Sequence, residues 1–585
     1  MIYKISTQGL RWRVISLGYR DPWEFYSSRP WVKSYDPGVP ADVDIPVMPL
    51  YRILDDAASQ YPDRVSMIFL DRKVTYRELQ DSALRFASWL RSVGIGKGDV
   101  VALFLPNTPQ FAIAYYGALY AGATVTPVNP LYTPRELRFQ LEDSEAKVLV
   151  TLDMFKDRVL AGAPDNVKYV VWTGIQDYLP FLKAVGYRLK FRPPSPPEGG
   201  KHYRFTGILR GSEPLKERAA VNPVEDVVAL MYTGGTTGLP KGVMLTHYNI
   251  IANLHQIDSL WFKGRKGFVF IGLLPWFHIY GQTAVLHFTV FSASTVIVYP
   301  RPDIEAVMKD IERYKANIFH GVPTAYIAIV NHPKVKEFNL KSLAACISGA
   351  APLPVAVLES FEKITGAKLR EGYGLTETSP VTHVNPIEGR YKPGSIGLPV
   401  PSTMAAIADP EKPELLPPGQ VGEIVISGPQ VMKGYFKRPE ENSLAFFEAY
   451  GLRWFRTGDM GYVDEEGYFY VVERKKDLIK YKGWSVFPRE VEEVLYKHEC
   501  VREAAVVGKP DPEAGEIPKA FVVLKDECKG KIRAEDLIEY TRKHLAPFKV
   551  PREVEFRDEL PKTIVGKILR RVLREEEMRK AGLMK

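Results

Sequence analysis

The chain has 585 residues, 45% hydrophobic and 25% charged, an ordinary globular composition that is too long for a single core, so at least two domains are expected. The net charge of +9 fits an ordinary basic surface, and also an attraction to anionic substrates or membranes; no nucleic-acid motif accompanies it, which argues against that class of partner. Cys346, Cys500 and Cys528 form no CxxC pair, so neither a disulfide framework nor a zinc site is expected and a reducing, cytoplasmic setting fits.

The opening MIYKISTQGLRWRV lacks an apolar run long enough for a signal peptide. VTYRELQDSALRFASWLRSVGI has apolar spacings of three and four after Thr75, an N-cap candidate with Glu78 at N3. DVVALFLP reads as a buried parallel strand, and PQFAIAYYGALYAGATVTPVNP as helix, glycine break and strand. This order predicts parallel sheets covered by helices. Residues 176–215 are aromatic and basic, then rich in Pro and Gly, and read as a surface excursion. The α/β pattern resumes at Val224. FVFIGLLPWFHIYGQTAVLHFTVFSASTVIVYP is broken by Pro275, His278 and Gly281, so it reads as strand, loop and helix, not a membrane span. Beyond residue 400 the strands are short and punctuated by glycine, with a hairpin turn at Asp464–Gly467. The last hundred residues read as a small α+β domain with a basic helical tail, and there is no internal repeat.

The stretch MYTGGTTGLPKGVMLTHYN (231–249) follows a buried strand and concentrates glycines, threonines and one lysine. Glycines let backbone N–H groups approach oxyanions, threonines add donors and the lysine adds charge. Lys241 follows Pro240 and precedes Gly242, so the Walker pattern fails, as does GxGxxG. The residues alone indicate a nucleotide or phosphate site.

This stretch resembles the phosphate loop of the acyl-adenylate-forming superfamily, which includes acyl-CoA synthetases, luciferases and carrier-loading adenylation domains. Further motifs follow in the family's order: PWFHIYG (275–281), SGAAPLP (348–354), EGYGLTETSP (371–380), FRTGD (455–459), ERKKDLIKYKGWSVFPREVE (473–492) and LPKTIVGKILRRVLR (560–574). The resemblance spans about residues 50–575. It implies an α/β fold with a large N-terminal domain (1–475) of parallel βαβ-type sheets plus a distorted β subdomain, and a small mobile α+β C-terminal domain (476–585).

It also implies roles. Thr233, Gly234, Gly235, Thr236, Thr237, Gly238 and Lys241 would hold phosphates; Gly349, Ala350 and Ala351 would line the adenine side, with Gly372, Tyr373 and Gly374. Thr376 would bond the α-phosphate and Glu377 would hold magnesium, a cation that prefers one or two carboxylates plus phosphate oxygens. Asp459, closing FRTGD at the end of a strand, would accept both ribose hydroxyls, with Arg474 nearby; Glu473 stands where the superfamily usually has glycine, a place where close relatives tolerate an acidic residue, so only a local change is expected. Lys567 would bridge the substrate carboxylate and α-phosphate, as a compact mobile charge can. Plainer alternatives are a surface ion pair for Glu377, a core tyrosine at 373, a turn aspartate at 459 and one more helical cation at 567. A hinge at Lys476 would exchange Lys567 for Lys480, Gly483 and Trp484 in the thiol step.

VNPLYTPRELRFQLEDSEA (128–146) and WVKSYDPGVPADVDIP (31–46) resemble bacterial-type long-chain fatty-acid–CoA ligases in particular. The implied substrates are a fatty acid, ATP and coenzyme A, with Mg2+; a medium-chain or aryl acid, or a carrier-protein acceptor, are the alternatives. Phe277, His278, Val322, Pro323, Thr324 and Ala350 are acyl-wall candidates, a core histidine being the plainer reading of His278. The basic, aromatic run at 176–192 suits either a solvated face or peripheral contact with the inner surface of an anionic membrane. A homodimer is a further expectation.

Overall fold

The computed structural model describes residues 21–197, 199–233, 240–482, 484–562 and 568–584. The chain forms two compact units. The first takes its described residues from Met1–Pro30, Ala405–Val425 and Glu448–Lys585; the second comprises Trp31–Met404 and Ile426–Phe447. Position 475/476 falls inside the first unit.

The second unit holds two large sheets. In one, the strands Lys368–Gly374, Ala345–Ser348, Ile318–Gly321, Val269–Gly272, Thr295–Val298 and Val65–Phe69 run parallel in that spatial order, with antiparallel strands on both edges. In the other, Val227–Thr233, Thr124–Pro127, Val100–Phe104, Ala146–Leu152, Tyr169–Thr173 and His202–Arg204 are parallel, and Lys241–Thr246 and Gly434–Tyr435 close one edge antiparallel. Val100–Phe104 is buried along its whole length, as strands covered on both faces are. The Thr75 side chain caps Tyr76–Ser92 by accepting from Glu78 N–H. Every residue of Pro109–Ala121 is buried, and Gly122 ends that helix in the left-handed region. The apolar run at 269–298 is strand, loop, helical turns and strand; among the described residues no helix is long and apolar enough to cross a membrane.

The first unit contains a sheet built around the long strand Leu452–Val463, and a second sheet with helices Pro488–Tyr496, Ala534–Arg542 and Arg570–Lys580. The expected hairpin turn is present, Gly467 N–H donating to Asp464 O at 3.0 Å.

Two expectations need correction. Cys500 and Cys528 form a disulfide, with Cα atoms 5.5 Å apart. They flank antiparallel strands in which Val501 pairs with Leu524, and that register brings together cysteines 28 residues apart. Nor is all of 176–215 a surface excursion. His202–Arg204 extends the sheet beside Tyr169–Thr173, and Phe205 is buried against Phe86. The helix Phe181–Phe191 within that stretch buries no residue.

Candidate active site

The residues expected on the phosphate side lie in the second unit. Strands Val227–Thr233 and Lys241–Thr246 form a hairpin in which Thr233 pairs with Lys241 at its mouth. Gly234, Gly235, Thr236, Thr237 and Gly238 lie outside the described residues. The Lys241 ammonium is 3.0 Å from Glu441 Oε1 and 5.3 Å from the centre of the Tyr435 ring. The Tyr435 hydroxyl donates to Glu377 Oε1 at 2.9 Å. Tyr435 thus links the loop lysine to the expected magnesium carboxylate, although it is 58 residues from Glu377 in sequence. Its own place is fixed locally: Tyr435 N–H donates to Asn442 Oδ1 and Tyr435 O accepts from Asn442 Nδ2, at 2.6 and 2.9 Å. Burial, then the charge of Glu377, pushes the Tyr435 phenol far above its usual range, so it remains a donor.

Glu377 sits in the short turn Thr376–Thr378, and its backbone O accepts from Met432 N–H at 2.8 Å. The strand before it, Lys368–Gly374, carries Gly372, Tyr373 and Gly374. A Cβ at Gly374 would lie 1.9 Å from Pro380 O, so only glycine fits there. The half-buried Tyr373 ring meets His383 edge-on at 5.8 Å. Gly349 and Ala350 follow the strand Ala345–Ser348; Ala350 is exposed with φ +70°, and Ala351 is half-buried. Among the described residues no cluster of three or more His, Cys, Asp or Glu could enclose a metal. A single half-buried carboxylate, Glu377, fits the way magnesium is held together with phosphate oxygens.

Of the acyl-wall candidates, Phe277 is half-buried and Val322 and Pro323 are buried at the start of Pro323–Val330, while Thr324 is exposed. His278 is exposed and caps a helical turn through Nδ1, accepting from Tyr280 N–H at 3.3 Å. The core-histidine reading is therefore wrong.

The residues expected on the ribose side lie in the first unit. Asp459 is 2% exposed and pairs across the strands with Arg474, whose Nε is 2.7 Å from Asp459 Oδ1. The expectation that FRTGD ends its strand is corrected: the strand continues to Val463, and the hairpin turn follows Asp459 by five residues. Asp459 is not a turn aspartate. Thr457 Oγ accepts from Asp459 N–H and donates to Ile424 O, which holds the carboxylate in place. Lys476 lies in the short helix Lys475–Asp477, and its carbonyl accepts from Arg574 Nη1 at 2.8 Å. Lys480 and Trp484 are exposed on a hairpin, the Trp484 ring stacked on Phe548 at 5.3 Å. Gly483 and Lys567 lie outside the described residues. Flanking the Lys567 segment, Lys562 and Ile568 form an antiparallel bridge, and Lys562 Nζ is 2.7 Å from Glu503 Oε1.

The motif pattern does not single out Tyr435, Glu441, Glu492 or Arg570 as partners of site residues. The tyrosine in KGYFKRPEE, after the strand GEIVISG, was the one available signal for Tyr435.

Parallel sheets with a threonine- and glycine-rich hairpin, its lysine neighbouring a tyrosine-held carboxylate, define an α/β enzyme that handles nucleotide phosphates. Residues 54–436 match the AMP-binding enzyme family and residues 490–567 match the AMP-binding enzyme C-terminal domain; the chain belongs to this family. It is 44% identical to the long-chain-fatty-acid–CoA ligase of Bacillus subtilis (strain 168), over 94% of this chain and 98% of that one. Among solved structures it is similar to ATP-bound MatB from Rhodopseudomonas palustris, with TM-score 0.79, 30% identity, and coverage of 90% of this chain and 99% of that one. It is also similar to o-succinylbenzoate CoA synthetase (MenE) from Bacillus subtilis in complex with its acyl-adenylate intermediate, with TM-score 0.73, 28% identity, and coverage of 90% and 98%.

Proposed function

We propose that this chain activates a long-chain fatty acid with ATP and transfers the acyl group to coenzyme A. The carboxylate oxygen attacks the α-phosphorus, the bond to the β-phosphate breaks and pyrophosphate leaves. The thiol sulfur of coenzyme A then attacks the acyl carbonyl, loses its proton and expels AMP. The observation that carries this reading is the 44% identity to a long-chain-fatty-acid–CoA ligase across nearly the whole of both chains.

The first step brings anion to anion, so fixed donors and cations must offset the repulsion. Lys241 and the hairpin around Thr233–Gly238 hold the phosphates. Binding them costs Lys241 its pair with Glu441, a half-exposed contact of the kind worth about 0–1 kcal/mol. Glu377, oriented by Tyr435, holds magnesium, which when bound supplies charge to the phosphate oxygens. Asp459, held by Arg474, accepts the ribose hydroxyls, while Thr376 and Lys567 serve the α-phosphate. Gly372–Gly374 and Gly349–Ala351 flank adenine, and Phe277, His278, Val322, Pro323, Thr324 and Ala350 face the acyl chain. A pivot at Lys476, between domains 1–475 and 476–585, then brings in Lys480, Gly483 and Trp484 for the thiol.

AMP release measured with coenzyme A across C2 to C18 and aromatic acids tests this. Highest kcat/KM at C12 to C18 is expected; a preference for aryl acids, or turnover only with a carrier protein, would replace the long-chain or the coenzyme A assignment.

A second reading concerns where the enzyme works. In Phe181–Phe191, Phe181, Leu182 and Leu189 are 81%, 83% and 73% exposed. With Val185 they fall on one arc of roughly 100°, taking 3.6 residues per turn. Ala184 and Tyr187, the half-buried residues of the helix, lie on another side. Exposed Arg188, Lys190 and Arg192 accompany the arc. An apolar stripe with basic neighbours suits the inner surface of an anionic membrane, where free fatty acids partition. Wild type should co-sediment with phosphatidylglycerol vesicles and the Phe181→Ser/Leu189→Ser variant should not; equal recovery of the two rejects the contact.

A further inference from the structure

We propose that Glu473 and Arg570 form a tether spanning the pivot, which holds the helix beginning at Arg570 to the strand Phe469–Arg474 during adenylate formation and opens before thiol transfer. The inference rests on the two-step ligase reading above.

Glu473 lies near the end of the strand Phe469–Arg474, three residues before Lys476. Arg570 is the first residue of the helix Arg570–Lys580 and follows Lys567 by three. Glu473 is 3% exposed, deep for a carboxylate. Its Oε1 accepts from Arg474 N–H at 3.0 Å and from Arg570 Nη1 at 2.9 Å. Its Oε2 accepts from Arg489 N–H at 2.8 Å, in the first turn of Pro488–Tyr496, where helix N–H groups lack internal partners. The Arg570 guanidinium also grips Glu492 with Nε and Nη2, and Glu492 in turn accepts from Val506 N–H at 2.7 Å. Burial pushes the Glu473 carboxyl above its usual range, and Arg570 opposes that shift.

These bonds sort by their place relative to residue 476. Arg570, Glu492, Arg489 and Val506 all follow it and move together if the chain pivots there. Glu473 and Arg474 precede it and stay with Asp459. A pivot therefore preserves the Arg570–Glu492 fork and breaks both Glu473–Arg570 and Glu473–Arg489. Breaking that ion pair and the Arg489 N–H bond resists the movement, offset in part by rehydration of the carboxylate. The tether thus holds the start of the helix Arg570–Lys580, three residues after Lys567, to the strand that carries Arg474. The glycine usual at this position in the superfamily has no side chain with which to make it.

The test uses full-length protein and two separated half-reactions: ATP–pyrophosphate exchange with a long-chain acid, and coenzyme A transfer from supplied acyl-AMP. Glu473→Gly should lower exchange about tenfold, a loss within the range of direct pair couplings, and leave transfer unchanged or faster. Glu473→Asp should restore exchange to within about threefold of wild type, as a shortened but intact carboxylate pair. If Glu473→Gly does not fold, Arg570→Lys, which keeps the charge and loses the fork, should show the same split. Equal losses in both half-reactions, or slowed transfer with normal exchange, overturn the tether. Absence of exchange in the wild type with every acid would instead overturn the ligase reading, and the tether with it.

Discussion

The Tyr435→Phe variant probes the contact proposed to orient Glu377. It deletes one hydroxyl and leaves the ring that stands 5.3 Å from the Lys241 ammonium. The lost bond is 2.9 Å long and ends on a carboxylate in a half-buried site. Hydrogen bonds to charged groups contribute about 1.5–3 kcal/mol, and partial solvent access places this one near about 1.5–2. At about 1.36 kcal/mol per decade, exchange of pyrophosphate into ATP should fall about ten- to thirtyfold. Because Glu377 would be less well oriented, half-saturation should also need more magnesium. Exchange measured against magnesium, with the thermal midpoint recorded in parallel, is the assay. Exchange within twofold of wild type at every magnesium concentration, or a loss confined to the coenzyme A step, would refute the argument that Tyr435 orients Glu377.

Three other outcomes can be checked. Asp459→Asn removes the buried charge that faces Arg474 and weakens acceptance of the ribose hydroxyls; the KM for ATP should rise about tenfold or more, as for loss of a charge-assisted bond, measured in steady state. Lys567→Ala should lower adenylate formation by about 10²–10³, as loss of a transition-state donor does, with coenzyme A transfer from supplied acyl-AMP much less affected in single-turnover assays. Lys519 is buried between Glu577 and Glu555, at 2.9 and 2.8 Å; Lys519→Met should destabilise the first unit by about 3 kcal/mol in urea, the low end for breaking a buried pair, since Lys580 and Arg557 remain. Burial raises the Glu555 carboxyl, but Lys519 and Arg557 prevail and hold it at about 2, below its usual 4.5. Its contribution is present above about pH 4.5 and is lost as pH falls towards about 2, so the acid limb of a stability–pH curve should flatten in Lys519→Met.

The parallel core was legible because its signals are local. A run such as VVALF, apolar at every position, suits a strand covered on both faces, and Val100–Phe104 is one. Thr75 and Glu78 announce their helix within four residues. The disulfide was hidden because no short spacing carries it: Cys500 and Cys528 meet only through the register of two antiparallel strands. The edge strand His202–Arg204 was hidden for a related reason. Three half-buried polar and aromatic residues have no strong period of their own and gain a strand's geometry from the edge they extend.

The same distinction separates the motifs from their supports. A phosphate hairpin is contiguous, so Thr233 and Lys241 stand out by sequence spacing and then prove to be paired across strands. The groups that orient the acidic side chains are remote: Tyr435 is 58 residues from Glu377, and Arg570 is 97 from Glu473. Glu473 shows what this costs a reading by motif. Against the superfamily's glycine it looks like a local substitution with local effects. Its burial makes that inadequate, because a carboxylate withdrawn from water requires cations or N–H donors. Arg489 and Arg570 supply them from beyond the proposed pivot. One residue that departs from the pattern therefore couples the strand carrying Arg474 to the helix that follows Lys567, and any movement between them must break the Glu473 contacts with Arg570 and Arg489.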